Sequence, residues 1–228
     1  RIRKVSYEGI IETFVSSPGL SQVHVSPKGD MYVVDSSKCY IYKVDQDRNL
    51  MLVAGNGVCA SSSEGVLAAN SSILISGNVA VSVDGNIYFG SGHSIRKIGT
   101  DGKLETIAGD QAVRGTGLVT ANAKNARFTN PLVRGIGING EVYYNQERTI
   151  GYISAQGDNR LIISKQPTTA NDTENSQVND TACYKISAVT VANNGLIYFG
   201  CGGPTDQRIR KIKPNNYVET TAGYYVFA

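Results

Sequence analysis

Tryptophan is absent from the chain, histidine occurs twice, and the four cysteines form no Cys-x-x-Cys pair. Two imidazoles fall short of the three that an open catalytic zinc site would want, and a zinc knuckle has no ligand pairs to draw on. No apolar run approaches the ~20 residues of a membrane-spanning helix. Charge of one sign does not dominate, because the formal net charge is only +3 and charged residues make up 18%. A balance so even gives no pull toward a polyanion. There is no Gly-x-Ser-x-Gly nucleophile elbow, and no glycine-rich loop leads into a helix to cradle phosphate. No secretory leader opens the sequence. Its first residues, Arg1-Ile2-Arg3-Lys4, fall inside a repeat, so a longer parent chain is expected.

What the chain has is glycine (25), tyrosine (13) and a 41% hydrophobic content ordinary for a folded protein. Four segments align: Val23 to Tyr32, Val79 to Tyr88, Gly135 to Tyr143 and Val189 to Tyr198. Their turn glycines, Gly29, Gly85, Gly140 and Gly195, recur at intervals of 56, 55 and 55 residues. Each unit reads as four strands. Strand a alternates apolar and small residues, as in Val79, Val81 and Val83, the period of two of a packed strand. An Asp-Gly or Asn-Gly turn follows, whose residues tolerate positive φ. Strand b is of the Ile87-Tyr88-Phe89 type and strand c of the Ile95-Arg96-Lys97-Ile98 type. A second tight turn, Asp101-Gly102, leads to strand d, Leu104 to Gly109. One such meander cannot bury both faces, so copies must stack. Radial stacking makes an all-β propeller of four-stranded antiparallel blades. A β-sandwich is the rival, and regular repetition argues against it.

The phrase Ile-Arg-Lys-Ile, a turn, then Leu-Glu-Thr-Ile-Ala-Gly resembles the NHL repeat, as does the linker from Ala121 to Leu132. The resemblance covers nearly the whole chain and implies a single NHL-type propeller over residues 1–228. Its expected parts are a half blade at 1–15 and full blades at 20–56, 76–110, 132–166 and 186–226. The half blade has strands c and d alone, so the five-bladed ring is expected to be incomplete in this chain. Three completions are open: chain beyond residue 228, chain before residue 1, or strands donated by a neighbouring copy. Missing chain is favoured, since strand exchange needs special geometry.

Antiparallel neighbours put the start of a, the end of b, the start of c and the end of d on one rim. Cys39 opens strand c and Cys59 follows strand d of the same blade, while Cys183 precedes strand a and Cys201 follows strand b of the last. Of three possible pairings, Cys39–Cys59 and Cys183–Cys201 are expected; the alternative is four free thiols packed as small hydrophobes. Disulfides imply an oxidising compartment. Asn70, Asn171 and Asn179 head Asn-x-Ser/Thr sequons. They lie in linkers, where a glycan would be exposed. An extracellular or cell-surface location in the secretory pathway is expected.

His24 aligns with Ala80 on strand a and reads as a packed or solvated histidine; His93 aligns with Cys39 and reads as a rim residue. Lys124, Arg127 and Arg134 gather near one linker as a small positive patch, without interleaved aromatics for stacking on bases. The expected function is therefore non-enzymatic. It is a binding or structural scaffold presenting the linkers 56–76, 110–131 and 166–185 from one face, in a surface or fibrous assembly. Its partners are protein or glycan, with self-assembly open and with no nucleic acid, membrane span, metal, cofactor or catalytic residue expected. The alternative is a metal-dependent lyase or hydrolase that uses the central channel, with a metal held partly by residues outside this segment.

Overall fold

The computed structural model describes residues 1–115, 120–164, 177–178, 183, 185–192, 194–202 and 206–225. The chain is an all-β propeller of five sheets. A two-stranded sheet comes first, β1 (Ile2–Val5) with β2 (Ile11–Val15). Four antiparallel four-stranded meanders follow: β3 (Leu20–Val25), β4 (Met31–Asp35), β5 (Tyr40–Val44) and β6 (Leu50–Ala54); β7 (Ser76–Val81), β8 (Ile87–Ser91), β9 (Ser94–Ile98) and β10 (Leu104–Gly109); β11 (Leu132–Ile136), β12 (Val142–Gln146), β13 (Thr149–Ile153) and β14 (Asn159–Ile163); and β15 (Ile186–Val191), β16 (Ile197–Gly202), β17 (Asp206–Ile212) and β18 (Val218–Tyr225). The first strands of successive blades, β3, β7, β11 and β15, touch one another across the sheets, so they surround the axis.

The hairpins are one residue longer than a two-residue Asp-Gly turn with two positive φ angles. In the second blade Gly85 N–H donates to Ser82 O and Ser82 N–H donates to Asn86 O, both at 2.9 Å. Positive φ falls on Gly85 alone, at +92°. That is a three-residue loop, a type I turn closed by a left-handed residue, so only the last position needs glycine. The same bonds recur at the turns ending in Gly29, Gly140 and Gly195.

Between successive blades lies an apolar layer. Tyr32, Val34 and Ile41 of the first full blade meet Val79, Ile87 and Phe89 of the second. Ile95 and Ala108 meet Val133 and Tyr144, and Ile150 and Ile163 meet Val189 and Phe199. The half blade gives Val15 to Val33 and Val44. Lacking inner strands beside it, the first full blade leaves Val23 and Val25 half exposed on that side.

The described linkers do not crowd onto one rim, which corrects the expectation of a face made of loops. Blades splay outward from the axis, and the linkers fill the wedges between them. Ala68 accepts from Gly55 N–H of one blade and donates its N–H to Gly102 O of the next, each at 2.9 Å. Ala123 N–H donates to Gly157 O in the same way, and bridges join Leu67 to Lys103, Thr120 to Asn159 and Gln177 to Tyr217. Each linker thus reaches the start of strand d in the blade that follows, and Ala68, Ala123 and Val178 are buried there.

Candidate functional site: the channel mouth

Every full blade shifts register near the start of strand a, and again where strands c and d pair. The register shifts between Leu20 and Gln22, Ser76 and Val79, Val133 and Gly135, and Ile186 and Ala188. A bulge re-aims side chains and ends regular pairing. Near one mouth of the channel, where the inner strands begin, Ser21, Asn78, Arg134 and Ser187 are left out of the a–b pairing, though not at the same rung in every blade. The serines are spent locally: Ser21 Oγ donates to Val34 O at 3.1 Å and accepts from Ser36 Oγ at 2.8 Å, and Ser187 Oγ donates to Gly200 O at 3.1 Å. Asn78 Oδ1 is buried with no hydrogen-bond partner. Arg134 is half buried, and its Nε donates to Asn145 Oδ1 at 2.6 Å. Burial lowers its pKa, yet a guanidinium keeps its proton in a protein.

Polar groups at the ends of the second strands support this mouth. The Asp35 carboxylate is buried and accepts from Ser37 N–H and Lys38 N–H, each at 3.1 Å, and from Ser37 Oγ at 2.6 Å. Gln146 Oε1 accepts from Thr129 N–H at 2.8 Å. These groups brace backbone rather than offer acid–base chemistry.

Cys39 and Cys59 form a disulfide with Cα atoms 5.3 Å apart, and Cys183 and Cys201 another at 5.4 Å. Each ties a strand end to its own blade on the rim of the mouth. Replacing Cys39 and Cys59 together with alanine is expected to cost about 3 kcal/mol, the loop entropy released to the unfolded chain. Urea denaturation against the oxidised parent reads this, and a loss under about 1 kcal/mol would count against the bond as a staple.

His24 Nε2 accepts from Val81 N–H at 3.2 Å, so the imidazole joins the inner strands of two blades, and burial lowers its pKa. It is a packed strand histidine in a neutral form. His93 stands at the turn between β8 and β9, with Nδ1 buried and unpartnered. The positive patch expected from Lys124, Arg127 and Arg134 does not assemble. Lys124 is in a one-turn helix at Ala123–Asn125 and lines a perimeter cleft of about 330 Å³ with Glu64, Thr106 and Asp110. Arg127 lies against Gly115 of its own linker. Arg134 alone is on an inner strand; a linker leaves the perimeter to enter strand a, so neighbours in sequence end at different radii.

Asn70 is exposed on a helical turn at Ala68–Asn70, and Asn171 and Asn179 lie outside the described residues. Among the described residues no three His, Cys, Asp or Glu side chains are grouped to hold a metal ion, so those residues do not by themselves fit one. No described helix is long and apolar enough to cross a membrane.

No protein-family model and no curated protein sequence matches the chain. Solved structures do. Virginiamycin B lyase from Staphylococcus aureus is similar at TM-score 0.56 and 15% identity, over 98% of this chain and 62% of the lyase. A gluconolactonase from Xanthomonas campestris is similar at 0.59 and 13%, over 96% of this chain and 67% of that one. An auxiliary nutrient binding protein from Bacteroides ovatus gives 0.59 and 15%, over 97% and 51%. The chain thus spans less than two thirds of the lyase and about half of the nutrient-binding protein. At such identities the likeness establishes the propeller fold. The expectation of a non-enzyme is overturned, because structures matching nearly the whole chain are named as lyases and as a gluconolactonase.

Proposed function

We propose that this chain, an NHL-type propeller domain over residues 1–228, supplies most of an enzyme of the lyase or hydrolase kind. The substrate sits at the channel mouth where the inner strands begin. The observation that carries the reading is the polar side chains left out of the ladder near the starts of β7 and β11: Asn78 Oδ1 is buried without a partner, and Arg134 makes one hydrogen bond. Sites on a rigid ladder gain precision from the scaffold, and a bulge turns a side chain out of that ladder. The names of the lyase and gluconolactonase neighbours support such chemistry. Those of the nutrient-binding neighbours favour a small molecule, including one derived from a glycan, over a protein partner.

Two disulfides favour an oxidising compartment, and the exposed Asn70 of Asn70-Ser71-Ser72 suits a glycan on the perimeter, away from the mouth. No metal enters a step here, since the described residues do not group as its ligands.

The test is a turnover screen of the full-length protein against lactones and esters, followed by acid release, and against substrates whose elimination creates an ultraviolet-absorbing double bond. Saturable turnover by the parent is expected, falling at least about tenfold in Asn78→Leu through loss of a transition-state hydrogen bond. Absence of both activities in the parent, or full activity in Asn78→Leu, would overturn the reading.

A further inference from the structure

The inner strands of the first two full blades, β3 and β7, touch beside the axis, and one side chain bonds across the contact. His24 on β3 turns its Nε2 to the backbone of β7 and accepts from Val81 N–H at 3.2 Å. Strand β7 is the edge of its sheet, and an edge strand has N–H groups that its own ladder leaves unpaired. His24 supplies a partner to one of them. The matching positions, set by pairing with Tyr88 and Tyr143 as His24 pairs with Tyr32, hold Ala80 and Gly135, whose side chains can make no such bond. The half blade has only β1 and β2, so it brings no inner strand to the other side of β3, where Val23 and Val25 are half exposed. The hold on β3 near the axis therefore comes from the β7 side.

The cross-blade bond depends on charge state. Nε2 accepts only while it carries no proton, because an imidazolium is a donor at both nitrogens. Protonated, Nε2–H would face Val81 N–H, donor against donor. The groups around the ring do not favour the cation. Strand β7 (Ser76–Val81) has no titratable side chain. On β4 the residue opposite His24 is Tyr32, whose pKa burial raises, so the phenol is neutral. Asp35 stands at the other end of β4 and accepts from Ser37 and Lys38 N–H. Lys43 and Asp30, beside Tyr32, pair with each other at 2.9 Å. Burial acts on His24 itself and lowers its pKa.

We infer that His24 is an acid-operated latch: as a neutral ring it holds β3 against β7, and on protonation it lets β3 part from β7 and opens the channel wall between the first two full blades. His24 and Val81 lie toward the ends of their strands, away from the strand starts at the proposed substrate site, so the latch is independent of that reading. Its pH window follows from linkage. Neutral His24 contributes in full above the pKa of a free imidazole, about 6.5, and the contribution is lost as pH falls from there toward the folded value, because the parted state takes the proton more readily. Within that window each pH unit should favour parting by up to about tenfold.

Hydrogen exchange of backbone amides, read by NMR and corrected for the intrinsic pH dependence of exchange, tests the latch. Between about pH 7.5 and about pH 5 the protection of Val81 in the parent is expected to fall at least about tenfold. His24→Gln keeps an acceptor that does not titrate and should remove most of that dependence. His24→Leu removes the acceptor and should leave Val81 weakly protected at both pH values. Amides of β12 and β13, in the third full blade, should be protected equally in parent and His24→Gln. Constant protection of Val81 in the parent, a pH dependence that survives in His24→Gln, or an equal change at β12 and β13, which would mean unfolding of the whole chain, would each overturn the latch. If the variants do not fold, the imidazole titration of the parent decides. A His24 pKa below about 6.5 supports the latch, and one at or above it overturns it.

Discussion

Methionine in place of Arg96 should destabilise the protein by about 1–3 kcal/mol, the cost of leaving buried acceptors without their donor. Arg96 lies on β9 at the face toward the preceding blade and is 1% exposed. Its guanidinium reaches into the wedge and holds the linker at three successive residues. Nη1 donates to Ser62 O at 2.8 Å and Ser62 Oγ at 3.0 Å, and Nη2 donates to Ser63 O and to Glu64 Oε1, each at 3.2 Å. Glu64 in turn accepts from Thr106 N–H and Thr106 Oγ1 on β10, both at 2.7 Å. Methionine fills similar space and leaves the two carbonyls and the carboxylate without these donors. Lysine keeps the charge but lacks the fork, so it should recover only part of the loss.

The same pair carries a pH signature. Burial of Glu64 pushes its pKa upward, but the hydrogen bonds from Thr106 and the charge of Arg96 outweigh it, so the folded value is depressed. A depressed carboxylate stabilises the fold above its unfolded value, about 4.3, and that contribution disappears as pH falls through the folded value. The gap between parent and Arg96→Met in urea denaturation should therefore narrow on going from pH 7 to below the folded value of Glu64. A constant gap would place the stabilisation in the neutral contacts to Ser62 and Ser63.

How much of this was visible beforehand follows from how each feature is written. The turn glycines and the tyrosines that follow them repeat because each blade needs one left-handed position and one half-buried ring, so blade number and strand order were legible. The Arg-Lys of strand c was legible as a repeat but not as two fates. Alternation sends Arg96 into the wedge and Lys97 out to Glu105, and the partners of Arg96 lie more than thirty residues upstream. The bulges were hidden because register is a property of two strands together, and Ser21 or Asn78 carries no local mark of an unpaired position. For that reason Arg134 was grouped by sequence with Lys124 and Arg127, from which the fold separates it. The linkers misled for a related cause. Length and polarity suggest display, whereas small buried residues such as Ala68 and Ala123 are what a wedge between splayed sheets can hold.

Phe128 tests that view of the linkers most severely. It is fully buried in the second linker, edge-on to Tyr144 with ring centroids 5.1 Å apart and planes at 86°. Gly109 has no side chain where Phe128 passes: a Cβ there would lie 2.6 Å from Phe128 Cδ2. The backbone around it is fixed as well, since Phe128 O accepts from Gly115 N–H at 3.0 Å, so the site cannot collapse readily. Phe128→Ala is therefore expected to cost about 3–5 kcal/mol, the range for a large aromatic removed from a core that relaxes little. The chain has no tryptophan, so the unfolding curve is read by far-ultraviolet circular dichroism or tyrosine emission. The urea slope should stay unchanged, because the surface exposed on unfolding is nearly the same. Leu67→Ala is the control: that residue is 51% exposed in the first linker, and its loss should stay within about 0.5 kcal/mol. Equal, small effects at both positions would mean that the linkers only cross the perimeter; a large effect at Phe128 alone makes the wedge part of the core that joins one blade to the next.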